Sequence, residues 1–144
     1  MYMKDARIAH ASVTIHAPAS KVWEALTNPE MIKQYLFGTN AVSDWKEGSS
    51  IRYTGTWDGK TYEDKGTIVK VIPEKLLVST YWSSMEGLED KPENYKNVSY
   101  ALETKGDATI LTVTQDNNTS EESRAHSEGN WNMVLGGVKK LLEQ

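Results

Sequence analysis

The chain has 144 residues, a mass of 16.2 kDa, no cysteine and a net charge of −4, and 38% of its residues are hydrophobic. This length predicts a single domain over residues 1–144, with a core that needs no cross-links. The absence of cysteine excludes disulfides and zinc–thiolate sites, and the negative charge argues against nucleic-acid binding. We expect no membrane span and a cytoplasmic protein, because the sequence shows neither a long apolar stretch nor a signal peptide.

The beginning of the chain predicts one strand followed by two short helices. Apolar and polar residues alternate over residues 8–16, as in a strand with one buried face. Pro18 suits the first turn of a helix, and the apolar residues after it recur at helical spacing. Asn28 then caps a second short helix, which ends at Gly38.

Residues 40–116 have the pattern of antiparallel β-hairpins. The first long strand ends at Trp57 and is followed by Asp58-Gly59, a strong signal for a two-residue turn. The return strand, over about residues 61–72, contains Gly66, where we expect a bulge or a bend.

Three further strands are predicted, together with one long loop. The strands cover residues 76–83 and the alternating residues around Tyr100 and around Val113. The acidic segment 84–95 is the loop. Two hypotheses fit this segment equally well. Either its apolar residues Met85 and Leu88 fold over a cavity, or it is an ordinary solvated connection.

A long helix is predicted for the end of the chain. Thr119 and Glu122 have the spacing of a capping box, and apolar residues recur at helical spacing from Trp131 onwards. Three glycines inside this helix each lower its stability by about 1 kcal/mol relative to alanine. Close packing against the sheet, a kink in the helix or space kept for a ligand would each explain their presence. The three glycines are Gly129, Gly136 and Gly137. Alternatively, the helix breaks at the last two.

This order of elements predicts an α+β fold, in which one curved antiparallel sheet of about six or seven strands is covered by the C-terminal helix. A strongly twisted sheet diverges from a helix, so a gap is expected between the two surfaces. The residues predicted to line it are Tyr53, Trp57, Val78, Trp82, Tyr100, Leu111, Val113, Gln115, Trp131, Leu135 and Val138. The same residues are about equally well explained as the filling of a solid core.

Four patterns, in this order, carry a family resemblance. They are the segment from Ile15 to Glu30, Trp45-Lys-Glu-Gly48, Gly66 with the Leu76-Leu77-Val78 strand, and Gly129-Asn130-Trp131 with the leucines after it. Together they resemble the START/Bet v-type (SRPBCC) superfamily and, within it, the branch named after activators of the heat-shock-protein ATPase. The resemblance implies a helix-grip fold. Proteins with this fold include lipid carriers, cyclases, hydrolases and chaperone cofactors.

Catalytic patterns are weak in this sequence. The three histidines, His10, His16 and His126, lack metal-ligand spacing and are expected to be solvated. The carboxylate pairs Glu63-Asp64 and Glu121-Glu122 are also expected to face solvent, and no nucleophile elbow or phosphate-binding loop occurs. We therefore expect no metal and no cofactor.

The leading hypothesis is a non-catalytic domain that binds a small hydrophobic or amphipathic molecule between sheet and helix. A cyclase- or hydrolase-type enzyme is the first alternative and requires a charged group in the cavity, for which Arg52 qualifies if the register shifts by one residue. A chaperone-interaction module is the second. It ranks below the binder because we expect the chain to stand without the chaperone-binding domain of the eukaryotic activators. A homodimer is left open.

Overall fold

A computed structural model describes residues 7–84 and 87–143, except for the side chain of Trp57. Within these ranges the strands are β1 (Ala9–Ile15), β2 (Asn40–Ser43), β3 (Ser50–Trp57), β4 (Lys60–Ile72), β5 (Leu76–Ser83), β6 (Lys96–Lys105) and β7 (Ala108–Gln115). The helices are α1 (Ala19–Thr27), α2 (Pro29–Tyr35) and α3 (Glu121–Leu142), with a short 3-10 turn at Pro92–Asn94. The predicted α+β helix-grip fold is thus confirmed, including the two short helices after the first strand.

The strands form one antiparallel sheet in the order β1-β7-β6-β5-β4-β3-β2, so that β1 and β2 are its edges. The β3–β4 hairpin closes through Asp58 and Gly59, which have φ angles of +51° and +77°. Two consecutive positive φ angles are what a type I′ turn requires. This turn fixes the register of the hairpin and places Tyr53 directly opposite Asp64.

The sheet bends where β4 passes Gly66. Pairing between β4 and β5 is interrupted after Lys65, resumes at Ile68 and shifts register before Lys70. A Cβ atom on Gly66 would lie 1.8 Å from the backbone oxygen of Thr80, so this close approach of the two strands requires glycine.

The C-terminal helix is continuous and does not break at its glycines. Its cap is Ser120, whose hydroxyl accepts the backbone N–H of Ser123 at 3.0 Å, so the predicted cap at Thr119 is wrong by one residue. Gly137 packs closely on α2, because a Cβ atom there would lie 3.2 Å from Cβ of Tyr35.

The core lies where α1, α2 and α3 cover the β1, β6 and β7 part of the sheet. Its fully buried side chains include Ile15, Val22, Leu111, Val113, Leu135 and Val138. A smaller buried cluster of Ile51, Ile68 and Leu77 lies on β3, β4 and β5. In residues 7–84 and 87–143, none of the helices has the length and apolar character needed to cross a bilayer.

Candidate functional site: a pocket between the sheet and the last helix

A pocket of about 850 Å³ lies between the sheet and α3. Strands β3 to β7 form one wall, and α3 forms the other from Ser123 to Val134. Leu36, Phe37 and Thr39, which follow α2, also line the pocket, as do the loop residues Leu88 and Thr119. The volume falls within the roughly 300–1,000 Å³ of typical small-molecule sites.

Among the described residues of the pocket lining, six carry aromatic rings: Phe37, Tyr53, Tyr62, Tyr81, Tyr100 and Trp131. Tyr100 and Trp131 meet edge to face, with ring centroids 5.8 Å apart and an interplanar angle of 84°. Burial raises the pKa of Tyr53 and of Tyr100 above the usual value of a phenol, so both stay protonated at neutral pH. Among the described residues, neither phenol oxygen has a hydrogen-bond partner. Both phenols can therefore donate to a bound molecule.

The indole of Trp131 is held by Gln115, at the end of β7. Its Nε1 donates to Gln115 Oε1 at 2.8 Å. The amide nitrogen of Gln115 in turn donates to Asn118 Oδ1 and to Ser127 Oγ, each at 3.4 Å. Gln115 is therefore on the pocket wall, but its carbonyl oxygen serves to orient Trp131.

A carboxylate lies on the wall where the sequence suggested none. The expectation that Asp64 is solvated is wrong, because the side chain lines the pocket and its Oδ2 accepts the Tyr81 hydroxyl at 3.2 Å. Cross-strand partners point to the same face of a sheet, and Asp64 pairs with Tyr53. The two-residue turn together with an inward Tyr53 was thus sufficient to place Asp64 inside.

Lys96 is the second charged residue that the sequence reasoning missed. It lines the pocket at the beginning of β6 and is 4% exposed. The inward alternation of Tyr100 and Val98, continued back by two residues, reaches Lys96. Lys96 was missed because this residue directly follows the polar segment 84–95, which was predicted to be a solvent-exposed loop.

The other predicted charged candidate, Arg52, lies outside the pocket wall. Its side chain is 57% exposed, and Nη1 is 3.5 Å from Glu63 Oε2 on the neighbouring strand. Glu63 is next to Asp64 in β4 and faces the opposite side of the sheet. The residues of β3 therefore alternate as predicted, without the one-residue shift that would bring Arg52 into the pocket, and the Arg52 side chain faces outwards.

His10, in β1, and His16, which directly follows this strand, are exposed, while His126 is an exposed residue of the pocket lining. His16 Nδ1 lies 3.0 Å from Glu143 Oε2 at the end of α3. Within residues 7–84 and 87–143, no three His, Asp or Glu side chains are grouped as a metal site requires.

Eight of the eleven predicted lining residues fall into two groups. Tyr53, Tyr100, Gln115 and Trp131 lie on the pocket wall. Leu111, Val113, Leu135 and Val138 are at most 1% exposed and belong to the packed core instead. The side chain of Trp57 lies outside the described part of the structure.

On β5 the wall is made by residues other than the predicted Val78 and Trp82. The lining residues here are Ser79, Tyr81 and Ser83 from one set of alternate residues, and Thr80 from the other set, to which Val78 and Trp82 also belong. Both sets contain an aliphatic and an aromatic side chain, and hydrophobicity alone therefore cannot choose the inward face.

Trp82 instead anchors the loop that follows β5. Its Nε1 donates to the backbone oxygens of Leu88 and Glu89, at 3.2 and 3.1 Å, and its ring stacks on Tyr95 with centroids 6.5 Å apart. Leu88 lines the pocket, in agreement with the hypothesis that the acidic loop folds its apolar residues over a cavity. Met85, the other residue named in that hypothesis, lies outside the described residues.

Comparison with known proteins identifies the family. Residues 16–143 match the model of the activator of Hsp90 ATPase homolog 1-like protein family. The chain belongs to this family. The resemblance seen in the sequence is thereby confirmed. No curated protein matches the chain.

Solved structures similar to this family member differ widely in sequence identity. The solution structure of ChR145 from Cytophaga hutchinsonii is 49% identical, with a TM-score of 0.83, over 99% of this chain and 97% of that one. The Aha1 dimer from Colwellia psychrerythraea is 22% identical, with a TM-score of 0.74, over 94% and 96%. CalU16 from Micromonospora echinospora is 21% identical, with a TM-score of 0.69, over 99% and 87%. The last two likenesses show the fold alone.

Proposed function

We propose that this protein binds a small hydrophobic or amphipathic molecule between the sheet and α3, without catalysing a reaction on it. One observation carries the proposal: a pocket of about 850 Å³ is lined by aromatic rings, and two of their phenols have no partner among the described residues. Burial of apolar ligand surface would supply most of the affinity, at about 25 cal/mol per Å². The hydroxyls of Tyr53 and Tyr100 would orient the ligand.

The test uses two asparagines of α3 that form a matched pair. Asn130 lines the pocket and is exposed, whereas Asn132 is exposed on the same helix but is not a lining residue. Asn130→Trp is expected to fill part of the pocket and to weaken binding of phenylnaphthylamine, a neutral dye that fluoresces in apolar sites. We expect a loss of roughly tenfold or more, equivalent to about 1.4 kcal/mol.

Asn132→Trp is expected to bind the dye as the unmodified protein does, and both variants should have similar urea unfolding curves. Fluorescence titration measures the affinities. Absence of any fluorescence enhancement with the unmodified protein would contradict the proposal, as would equal loss of binding in both variants.

Assembly as a homodimer stays a prediction for this chain. It is supported by the dimeric state of the relative from Colwellia psychrerythraea, which has the same fold.

A further inference from the structure

We infer that Phe37 is a ligand-binding residue, whose ring covers the outer end of the molecule bound in the pocket. The ligand accordingly extends from the phenols of Tyr53 and Tyr100 to the pocket mouth and carries an apolar or aromatic end there. This inference rests on the proposed function, because it concerns the same pocket. It is drawn from the exposure of this one ring and from its backbone conformation.

Phe37 is an apolar residue on an otherwise polar rim. Of the lining residues that the structure describes, five are exposed, and the four besides Phe37 are Thr56, Thr119, His126 and Asn130. Phe37 is 70% exposed, the highest value among the large hydrophobic residues of the described ranges. A ring that stays in water at a pocket mouth gains apolar burial when a ligand arrives, and this burial favours binding.

The backbone of Phe37 adopts a conformation that a bulky side chain rarely takes. Its φ angle is +54°, in the left-handed region, and Gly38 follows with +84°. The Gly38 N–H donates to the backbone oxygen of Lys33 at 2.9 Å, a bond that closes the end of α2. Glycine or asparagine is the usual residue at a left-handed helix end. The closure of α2 therefore explains the conformation but not the choice of phenylalanine.

The turn that carries Phe37 is held in place by Thr39. The Thr39 hydroxyl donates to the backbone oxygen of Leu36 at 2.6 Å and forms a hydrogen bond with the hydroxyl of Tyr62. The Thr39 N–H donates to the same Leu36 oxygen at 3.0 Å. The ring of Phe37 is thus presented from a turn that is already formed, so binding does not have to order this part of the backbone.

Trp45 shows what can offset such a conformation. It is the other aromatic residue with a positive φ angle in the described part of the chain, at +59°, and its side chain packs against both hydrophobic clusters. Phe37 is not among the side chains that form or surround these clusters. Strained backbone conformations cluster at ligand-binding sites. The bound molecule therefore supplies the packing that Trp45 finds within the protein.

The ring can be observed directly, because Phe37 is the only phenylalanine in the chain. Expression with para-fluorophenylalanine therefore gives one fluorine resonance, from position 37. The difference in its chemical shift between light and heavy water measures the exposure of the ring to solvent. The probe is diphenylhexatriene, a long neutral rod that has an aromatic ring at each end and fluoresces in apolar sites. When the probe binds, we expect the resonance to move and this difference to decrease.

Phe37→Asn separates a binding role from a structural one. Asparagine tolerates a positive φ angle better than phenylalanine, so the urea midpoint is expected to rise. The affinity for diphenylhexatriene, measured by fluorescence titration, is expected to fall roughly tenfold, because apolar surface of the probe returns to water. A residue that only supports the fold would lose stability and affinity together. Phe37→Tyr keeps the ring and is expected to keep the affinity.

Met133→Gln is the matched control. Met133 is an exposed apolar residue of α3, the helix that forms the facing wall, but it is not a lining residue. Its replacement removes apolar surface from the outside of the same structure. The affinity for diphenylhexatriene is therefore expected to stay unchanged.

Equal binding of diphenylhexatriene by Phe37→Asn and by the unmodified protein would overturn the inference, while the proposed function would stand. The same holds if the ring stays as exposed with the probe bound, or if phenylnaphthylamine binds and the longer probe does not. Separation of a dimer into monomers by Phe37→Asn, at unchanged probe affinity, would show that a second copy covers the ring and would also overturn the inference. Failure of both probes to bind would instead contradict the proposed function and the inference together.

Discussion

The orientation of Trp131 in the pocket depends on one amide side chain. Gln115 accepts the indole N–H at 2.8 Å and is itself held by Asn118 and Ser127. Gln115→Leu removes the acceptor and leaves a half-buried indole donor without its partner. We expect the free energy of unfolding to fall by about 1–3 kcal/mol. The near-ultraviolet circular dichroism of the tryptophans should also change.

Gln34→Leu is the control for this substitution. Gln34 is exposed on α2, and its amide donates to the backbone oxygen of Glu30 at 3.3 Å. Urea unfolding of this variant should stay within about 0.5 kcal/mol of the unmodified protein. Equal effects of the two substitutions would show that the contact between Gln115 and Trp131 does not stabilise the fold.

At the scale of the element, α3 covers the edge of the sheet at β1. The carboxylate of Glu128 accepts the backbone N–H of His10 at 3.0 Å, and that of Glu143 accepts the N–H of His16 at 2.7 Å. These bonds satisfy backbone groups that an exposed edge strand would offer to another chain. The helix therefore both builds the pocket wall and protects the neighbouring edge.

This contact predicts a dependence of stability on acid. Hydrogen bonds from Lys139 and His16 lower the pKa of Glu143 from 4.5 to about 2. A lowered pKa in the folded state means that the stabilisation is present above about pH 4.5 and is lost as the pH falls towards about 2. Glu143→Gln should accordingly be less stable than the unmodified protein at neutral pH, and this difference should shrink across that interval.

Urea unfolding at a series of pH values measures the difference. Glu24→Gln, which removes a carboxylate at an exposed position of α1, is the matched control for the change in charge. A stability difference for Glu143→Gln that stayed constant down to pH 2 would contradict the assignment of the contact.

The elements could be predicted from sequence where local signals were unambiguous. Asp58-Gly59 specified the turn of the β3–β4 hairpin, and Asn28 capped α2 through a bond to the Glu30 N–H. Strand β5 shows the limit, since both of its faces carry apolar side chains and its inward set depends on pairing with β4 and β6.

The charged residues of the pocket were the hardest part of the site to predict from the sequence. Charged residues mostly lie on protein surfaces, so Asp64 and Lys96 are predicted to be solvent-exposed unless the pairing register of their strands is taken into account. That register was available for Asp64 through the hairpin turn. How far α3 stays from the sheet depends on the bend of β4 and on side-chain packing, neither of which a local pattern specifies.

At the scale of the whole molecule, the curvature of the sheet makes room for the pocket, and Gly66 is where β4 and β5 approach too closely for any side chain. Gly66→Ala would place a Cβ atom 1.8 Å from the Thr80 backbone oxygen, and relief requires the two strands to separate. We expect the free energy of unfolding to fall by about 3 kcal/mol. Dye binding should weaken with it, because Thr80 and Lys65 line the pocket beside the bend.

Gly136→Ala is the matched control, with the opposite expected sign. Gly136 lies within α3, and a Cβ atom there would meet nothing within 4 Å. Alanine should therefore raise the free energy of unfolding by about 1 kcal/mol, through helix propensity alone, and leave dye binding unchanged. Urea unfolding and fluorescence titration of both variants measure these effects. If Gly66→Ala were as stable as the unmodified protein, the close approach of β4 and β5 would not be what bends the sheet over the pocket.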